Sequence, residues 1–429
     1  MTITIVGHGY VGLVTACVFA DFGNKVWVIG HTEEKIKRLK SGDPIIYEPG
    51  LRELLQKNIK AKRILFTIDY EKPIPESDIV FIAVGTPPKD TGEADLSAVI
   101  DVARKIAKNL KKNFTVISCK STVPIGTNQK IEIIINKHKQ KNNQFAVASC
   151  PEFLREGTAI KDTLLPDRTI IGSDSKKAID YLLDLHKPIG GKRVITNLAS
   201  AELIKYASNS ILATKISFAN LISFYCEKTG ADVETVLDGV GLAHRTGRLF
   251  LYPGLGYGGS CFPKDVKALL VIGNDLKVNT GLLASVENIN KFAKDNMIKK
   301  IKEYSGGKKI AIWGLSFKPD TDDIREAPSL YIIDLLLKDG YQVTVYDPVA
   351  MDNVKKTYLN KVNFAKDPYS AVKSTDSLLI VTEWNEFKQI DLDKVKKLME
   401  SPVIFDGRNI YDPQKMKKLG FKYYSVGRP

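Results

Sequence analysis

Residues 1–30 read MTITIVGHGYVGLVTACVFADFGNKVWVIG, and this stretch decides the fold. Thr2–Val6 is a short β-branched run and predicts a strand. Gly7-His8-Gly9-Tyr10-Val11-Gly12 follows it directly and opens an apolar, proline-free helix. A second β-branched run, Lys25–Ile29, closes the unit. In such a strand–turn–helix the first glycine makes the tight turn, the second lets the backbone approach a pyrophosphate, and the third lets helix and strand pack closely. Gly7, Gly9, Tyr10 and Gly12 are therefore expected to hold a dinucleotide. The apolar stretch 3–20 lacks a basic leader and is interrupted by glycines, so it reads as fold rather than signal peptide.

The adenosine ribose of a bound dinucleotide normally meets an acidic residue at the end of the second strand. Here the strand runs into Gly30, His31 and Thr32. Either Glu33 or Glu34 substitutes from the next turn, or selectivity is relaxed. Gly30 followed by His31, Thr32 and Lys35 is compatible with a ribose phosphate. NAD is the expected cofactor, with NADP as the alternative.

Outward from this unit, strands are expected at 79–84, 114–118 and Phe145–Ser149, with helices at Glu33–Lys40 and 95–109 between them. That alternation implies a parallel sheet wrapped by helices. From 199 to 229 the pattern becomes one long helix, followed by helices near 232–238, 264–273 and Gly281–Tyr304. Alternation resumes with strands Lys309–Trp313, Gln342–Tyr346, 377–381 and 402–405, and a helix at Pro328–Lys338. The expected fold is α/β: two Rossmann-like domains, 1–197 and 306–429, joined by a central helical domain, 198–305, whose long helix offers a dimer surface.

A chain of 429 residues, 44% hydrophobic, has ample material for two or three cores. Its net charge of +14 is spread over lysine-rich helix faces such as 294–302. No basic stripe interleaved with aromatics or recognisable reading module is present, which argues against a nucleic-acid partner. A positive field does favour anionic substrates such as nucleotide diphosphates. No run is long and apolar enough to cross a membrane. Cys17, Cys119, Cys150, Cys226 and Cys261 form no pair at metal-ligand or redox spacing. That points to a reducing cytoplasm and to no metal site.

Two segments carry chemistry. In Gly256-Tyr257-Gly258-Gly259-Ser260-Cys261-Phe262-Pro263-Lys264-Asp265, the glycines allow close approach of a ligand, and Pro263 suits the first turn of a helix. Cys261 then lies at a helix N-terminus, where the dipole and Lys264 favour a thiolate. Cys17 and Cys226 sit inside apolar helices and read as core. Ser149-Cys150-Pro151-Glu152-Phe153-Leu154-Arg155-Glu156-Gly157 follows a strand, at the sheet edge where ligands bind. Its two carboxylates suit either helix entry or base and cofactor roles. Cys150 precedes a proline, lacks the glycine setting and is the weaker nucleophile candidate. Lys205 and Asn209 lie four apart on one face of the long helix, beside Leu203, Ile204 and Ala207.

These residues, with Lys120-Ser121-Thr122-Val123-Pro124, Pro166-Asp167-Arg168, Phe317 through Arg325 and Asp406-Gly407-Arg408-Asn409, closely resemble the UDP-glucose 6-dehydrogenase family over nearly the whole chain. The resemblance implies a UDP-binding C-terminal domain and a homodimer. It implies Cys261 as nucleophile, with Lys205, Asn209, Asp265, Thr122 and Glu152 around the reacting carbon. Val11, Lys35, Thr86, Thr122, Glu156, Lys264 and Arg325 are implied cofactor contacts, joining Gly30 at the ribose position, where the family usually carries Asp. Implied substrate contacts are Glu152 through Glu156 (Phe153, Leu154 and Arg155 included), Lys205, Asn209, Gly258, Phe317, Lys318 and Arg408. Phe250, Leu251, Tyr252, Pro253 and Gly254 resemble the loop over the sugar-nucleotide, and Arg245 an arginine that reaches the neighbouring subunit's substrate. UDP-glucose is the expected substrate. GDP-mannose or another nucleotide-sugar, a one-step alcohol dehydrogenase, and a non-catalytic nucleotide-sugar binder are the alternatives.

Overall fold

The sheet that begins at Thr2–Val6 (β1) grows to both sides of it. In a computed structural model, which describes residues 1–111 and 113–428, β1 lies between Lys25–Ile29 (β2) and Ile79–Ile82 (β4). Adding Ile64–Thr67 (β3), Thr115–Cys119 (β5), Phe145–Ser149 (β6), Arg168–Gly172 (β7) and Lys192–Thr196 (β8) gives the order β3-β2-β1-β4-β5-β6-β7-β8. The register sets Thr2 opposite Lys25 and Val6 opposite Ile29. Every residue of β4 and β5 is buried, as expected of central strands covered by helices on both faces. Helix Tyr10–Asp21 is buried continuously from Gly12 to Ala20. The strand order reverses between β1 and β4, and folds of this kind bind ligands outside the carboxyl ends of the strands at such a reversal.

Two expectations need refinement. The strand expected at 79–84 ends at Ile82, which lies opposite Val6, the last residue of its partner β1. The sheet is also not wholly parallel: β7 meets β6 antiparallel, at Ser149 opposite Gly172. Between them the chain forms only the six-residue helix Ala159–Leu164, and β7 re-enters from the carboxyl edge of the sheet.

The chain divides into two compact units, residues 1–208 with 267–272, and residues 209–266 with 273–429. The second contains a wholly parallel sheet of Asn363–Phe364 (β11), Gln342–Tyr346 (β10), Lys309–Trp313 (β9), Ser377–Ile380 (β12), Val403–Asp406 (β13) and Lys422–Ser425 (β14), in that spatial order. The central helices mostly join this unit. Helix Gly281–Tyr304 buries Met297, Ile298 and Ile301 in the same core as Ile310, Ile312, Leu336 and Phe405. The long helix, Leu198–Thr229, is unbroken over 32 residues.

Candidate active site

The three turn glycines differ in what they are for. Gly7 has φ of 125°, and a Cβ there would lie 2.3 Å from the Ala83 carbonyl oxygen; one on Gly12 would lie 2.2 Å from the Gly7 oxygen. Both are demanded by the protein's own packing. A Cβ on Gly9 would meet nothing within 4 Å, so nothing inside the chain requires that glycine. The open space above it fits a group that arrives from outside, which is the role of the second glycine beside a pyrophosphate. Thr86 Oγ1 donates to the Thr122 carbonyl oxygen at 2.8 Å, so these two expected cofactor contacts adjoin at the ends of β4 and β5. At the end of β2, Gly30 is buried, and the neighbouring His8 is held down to about pKa 4 by burial, with His31 and Lys35 adding to the effect. The turn therefore fits a dinucleotide.

Beyond β6, Glu152 and Lys205 form a buried ion pair at 3.2 Å, with side chains only 8% and 4% exposed. The other Glu152 oxygen accepts the Leu154 N–H at 2.7 Å. Phe153 lies under two cations, the Arg168 guanidinium at 4.1 Å and the Lys205 ammonium at 5.1 Å from the ring centre. Arg155 instead makes a two-pronged pair with Asp162, at 2.9 and 2.8 Å, which ties down its own loop. Glu156 is buried.

Two anchors here escape sequence reading. Glu48 accepts the backbone N–H groups of Gly157 and Ala159, at 2.6 and 2.7 Å. Glu202, 2% exposed, accepts from Gly126 N, Asn128 N and Asn128 Nδ2. Burial pushes the Glu202 carboxyl above its usual range, against those hydrogen bonds. Glu202 precedes Lys205 by three residues on the same helical face, which is the one signal that would have found it. Glu48 gives no comparable signal.

Helix Phe262–Asp275, whose first turn belongs to the second unit, starts just after Cys261, whose carbonyl oxygen accepts the Asp265 N–H at 3.0 Å. Cys261 thus caps the helix, with its sulfur 3.7 Å from Ser260 Oγ. Of the five cysteines it alone is not buried. Burial pushes the Cys17 and Cys119 thiols up to about 12 and raises Cys150 as well, so those sulfurs are poor nucleophiles. Asp265 is 1% exposed; one oxygen accepts from Asn209 Nδ2 at 2.6 Å and the other from Lys264.

The glycines before Cys261 are explained by the protein itself rather than by a ligand alone. Added Cβ atoms at 256, 258 and 259 would strike Asn290 Oδ1 at 2.2 Å, the Glu326 carbonyl oxygen at 2.3 Å and the Phe317 ring at 2.7 Å. Asn290 also bonds both the N–H and the carbonyl of Tyr257, at 2.7 and 3.2 Å. Gly259 N–H donates to the Arg325 carbonyl at 2.9 Å, and the Arg325 side chain pairs with Asp323. Arg408 donates to the Val381 carbonyl at 2.6 Å and approaches the Gly256 oxygen at 3.5 Å. Gly254 packs on Gly407 and Arg408, and its N–H is taken by Asn220, which sequence reasoning missed. Lys318 lies 5.7 Å from the Phe317 ring centre. Phe250 has φ of 66°, and Leu251 and Pro253 are buried while Tyr252 is exposed. Arg245 is exposed.

The NAD binding, central and UDP binding domains of the UDP-glucose/GDP-mannose dehydrogenase family match residues 1–190, 199–292 and 311–413. The chain belongs to this family. It is therefore an NAD-dependent dehydrogenase, with its NAD binding domain within residues 1–190. Among curated relatives, UDP-glucose 6-dehydrogenase TuaD of Bacillus subtilis is 46% identical, covering 100% of this chain and 93% of that one. The UDP-glucose 6-dehydrogenase of Rhizobium meliloti is 44% identical, with both chains covered in full. Among solved structures, a UDP-glucose dehydrogenase from Pyrobaculum islandicum superposes with a TM-score of 0.94 at 35% identity, covering 100% of this chain and 98% of that one. No described helix of this family member is long and apolar enough to cross a membrane, and the described residues hold no group of three or more His, Cys, Asp or Glu suited to a metal.

Proposed function

We propose that the chain oxidises the primary alcohol of UDP-glucose to the carboxylate of UDP-glucuronate in two steps, with Cys261 holding the sugar carbon between them. The observation that carries the reading is the placement of Cys261: a half-buried thiol capping a helix whose first turn holds Lys264 and Asp265, while the other four thiols are sealed in the interior. Full-length relatives named UDP-glucose 6-dehydrogenase, at 40–46% identity, support this sugar over GDP-mannose.

The aldehyde formed in the first oxidation has no oxyanion from which a second hydride can be expelled. Addition of the Cys261 thiolate forms a C–S bond and turns the carbonyl oxygen into an alkoxide. Loss of hydride from that thiohemiacetal gives a thioester; attack by water then breaks the C–S bond and returns the thiol. NAD, when bound, would supply the hydride acceptor, one molecule for each oxidation with exchange between the steps, so two reduced nicotinamides appear per sugar acid. Lys205 and Asn209, an ammonium and an amide donor, stabilise the alkoxide. Asp265, with Thr122 and a water, takes the alcohol proton, and Glu152 activates the hydrolytic water. Phe153 to Glu156, Phe250 to Gly254, Gly258, Phe317, Lys318 and Arg408 bind the sugar-nucleotide, and Val11, Lys35, Thr86, Glu156, Lys264 and Arg325 bind the cofactor. The functional segments run over 1–197, 198–305 and 306–429.

The working form is a cytoplasmic homodimer in which Arg245 serves the neighbouring site. Free, buried Cys17, Cys119, Cys150 and Cys226 suit a reducing compartment. Ile211, Phe218 and Tyr225, 57%, 45% and 63% exposed and seven residues apart on helix Leu198–Thr229, form an apolar stripe suited to a second copy. The catalytic scheme is tested by Cys261→Ser with product mass and NADH counted: acid formation is expected to fall by at least about 1,000-fold. Acid formed at the normal rate by this variant overturns the thioester route.

A further inference from the structure

We infer that the adenosine-ribose end of the dinucleotide site accepts a 2′-phosphate, so that the chain binds NADP as well as NAD. The carboxylate that selects NAD works in two ways: it accepts hydrogen bonds from the ribose diol and repels a phosphate on the 2′ oxygen. At the corresponding place β2 ends in Gly30, which has no side chain at all. A Cβ there would lie 2.7 Å from Ile36 Cδ1 and 3.1 Å from His8 Nδ1, so those two side chains already occupy its place and leave no room for a carboxylate-bearing residue at this position.

His8, which packs against Gly30, is in an unusual state. It is 5% exposed, and its Nδ1 has no hydrogen-bond partner among the described residues. Buried polar atoms are rarely left so, and an external acceptor or donor is the ordinary remedy. His8 stands between the first two turn glycines, next to the open space above Gly9. Its ring lies 4.9 Å from that of His31, which is exposed and follows Gly30 directly. Lys35, also exposed, is close enough to act electrostatically on His8. The ribose end of the site therefore gathers two imidazoles and an ammonium where an NAD-selective site has an anion. Glu33 and Glu34 in the first turn of the next helix are the nearby counter-charges, and both point to the alternative in which a glutamate takes the ribose diol. The missing Gly30 side chain and the orphaned His8 nitrogen favour the phosphate. A dianionic phosphate would form charge-assisted hydrogen bonds with these groups.

The inference rests on the dinucleotide turn and is independent of the sugar substrate. Its test is binding of the full chain without any sugar, so a failure of the UDP-glucose reading would leave the result intact. Calorimetric titration with NAD, NADP, AMP and adenosine 2′,5′-bisphosphate is expected to give an NADP dissociation constant within about tenfold of that for NAD, and tighter binding of the bisphosphate than of AMP. The phosphorus resonance of the 2′-phosphate should shift on binding. His31→Ala and Lys35→Ala should each lower the NADP-to-NAD affinity ratio about tenfold, the effect of losing one charge-assisted contact. NADP more than about tenfold weaker than NAD, or a ratio that neither substitution changes, overturns the inference.

Discussion

The Lys205–Glu152 pair offers a test in which stability and chemistry separate. At 3.2 Å, with side chains 4% and 8% exposed, the two charges attract by about 5 kcal/mol for an effective dielectric of 20. Desolvation offsets part of this, and a coupling of about 3 kcal/mol is the expected remainder. Lys205→Met leaves the Glu152 carboxylate in place with the Leu154 N–H as its shown donor. It should cost about 3–5 kcal/mol, or about 10 °C in the thermal transition of a unit of about 200 residues. Glu152→Gln keeps an acceptor and a similar shape, and should cost less. The double variant should recover most of the loss, because no charge is then stranded. Thermal melts of the four proteins, read as a double-mutant cycle, give the coupling directly. All three variants should lose turnover, since both groups act in the proposed chemistry. Losses of stability that simply add, to within about 0.5 kcal/mol, would refute the buried-pair reasoning.

Gly7→Ala and Gly9→Ala should behave oppositely. The first places a Cβ 2.3 Å from a backbone oxygen at φ of 125° and should destabilise by about 2 kcal/mol or more. The second meets no protein atom within 4 Å and should melt normally but bind NAD more weakly; normal NAD affinity in Gly9→Ala would remove the pyrophosphate from that turn. Burial lowers the His186 pKa from 6.5 to about 3, with Lys120 adding to the effect, so the folded protein keeps the ring neutral. The unfolded chain takes up the proton first, so this stabilisation is complete above pH 6.5 and is lost as pH falls toward about 3. Urea melts of His186→Gln between pH 6.5 and 4 should show a pH slope shallower by up to about 1.4 kcal/mol per unit, and an unchanged slope would contradict this. Phe218→Glu puts a charge in the exposed stripe of the long helix and should shift sedimentation toward a monomer; unchanged sedimentation would move the dimer contact elsewhere.

The parts of the fold that sequence made legible are those fixed by local physics. Gly7 and Gly12 stand out because a strand must turn sharply into a helix there, and the 32-residue helix because its pattern has no breaker. Cys261 was legible from its helix-opening neighbours. What escaped depends on distant partners. The reversed direction of β7 is set by a loop that stays at one sheet edge, and the joining of helix Gly281–Tyr304 to the second core is set by Met297 and Ile301 packing on strands. Glu48 and Glu202 cap backbone N–H groups 109 and 74 residues away, contacts that leave no periodic trace.

In the proposed site, the glycine run before Cys261 bears on the thermodynamics of substrate capture. Asn290, Glu326 and Phe317 fill the space that side chains at 256, 258 and 259 would take, so the segment acquires its conformation as the chain folds. Little backbone freedom is then left to be lost when a sugar-nucleotide arrives. Binding at this loop should show a small heat-capacity change and little entropic penalty from local ordering, a rigid receptor rather than a closing clamp.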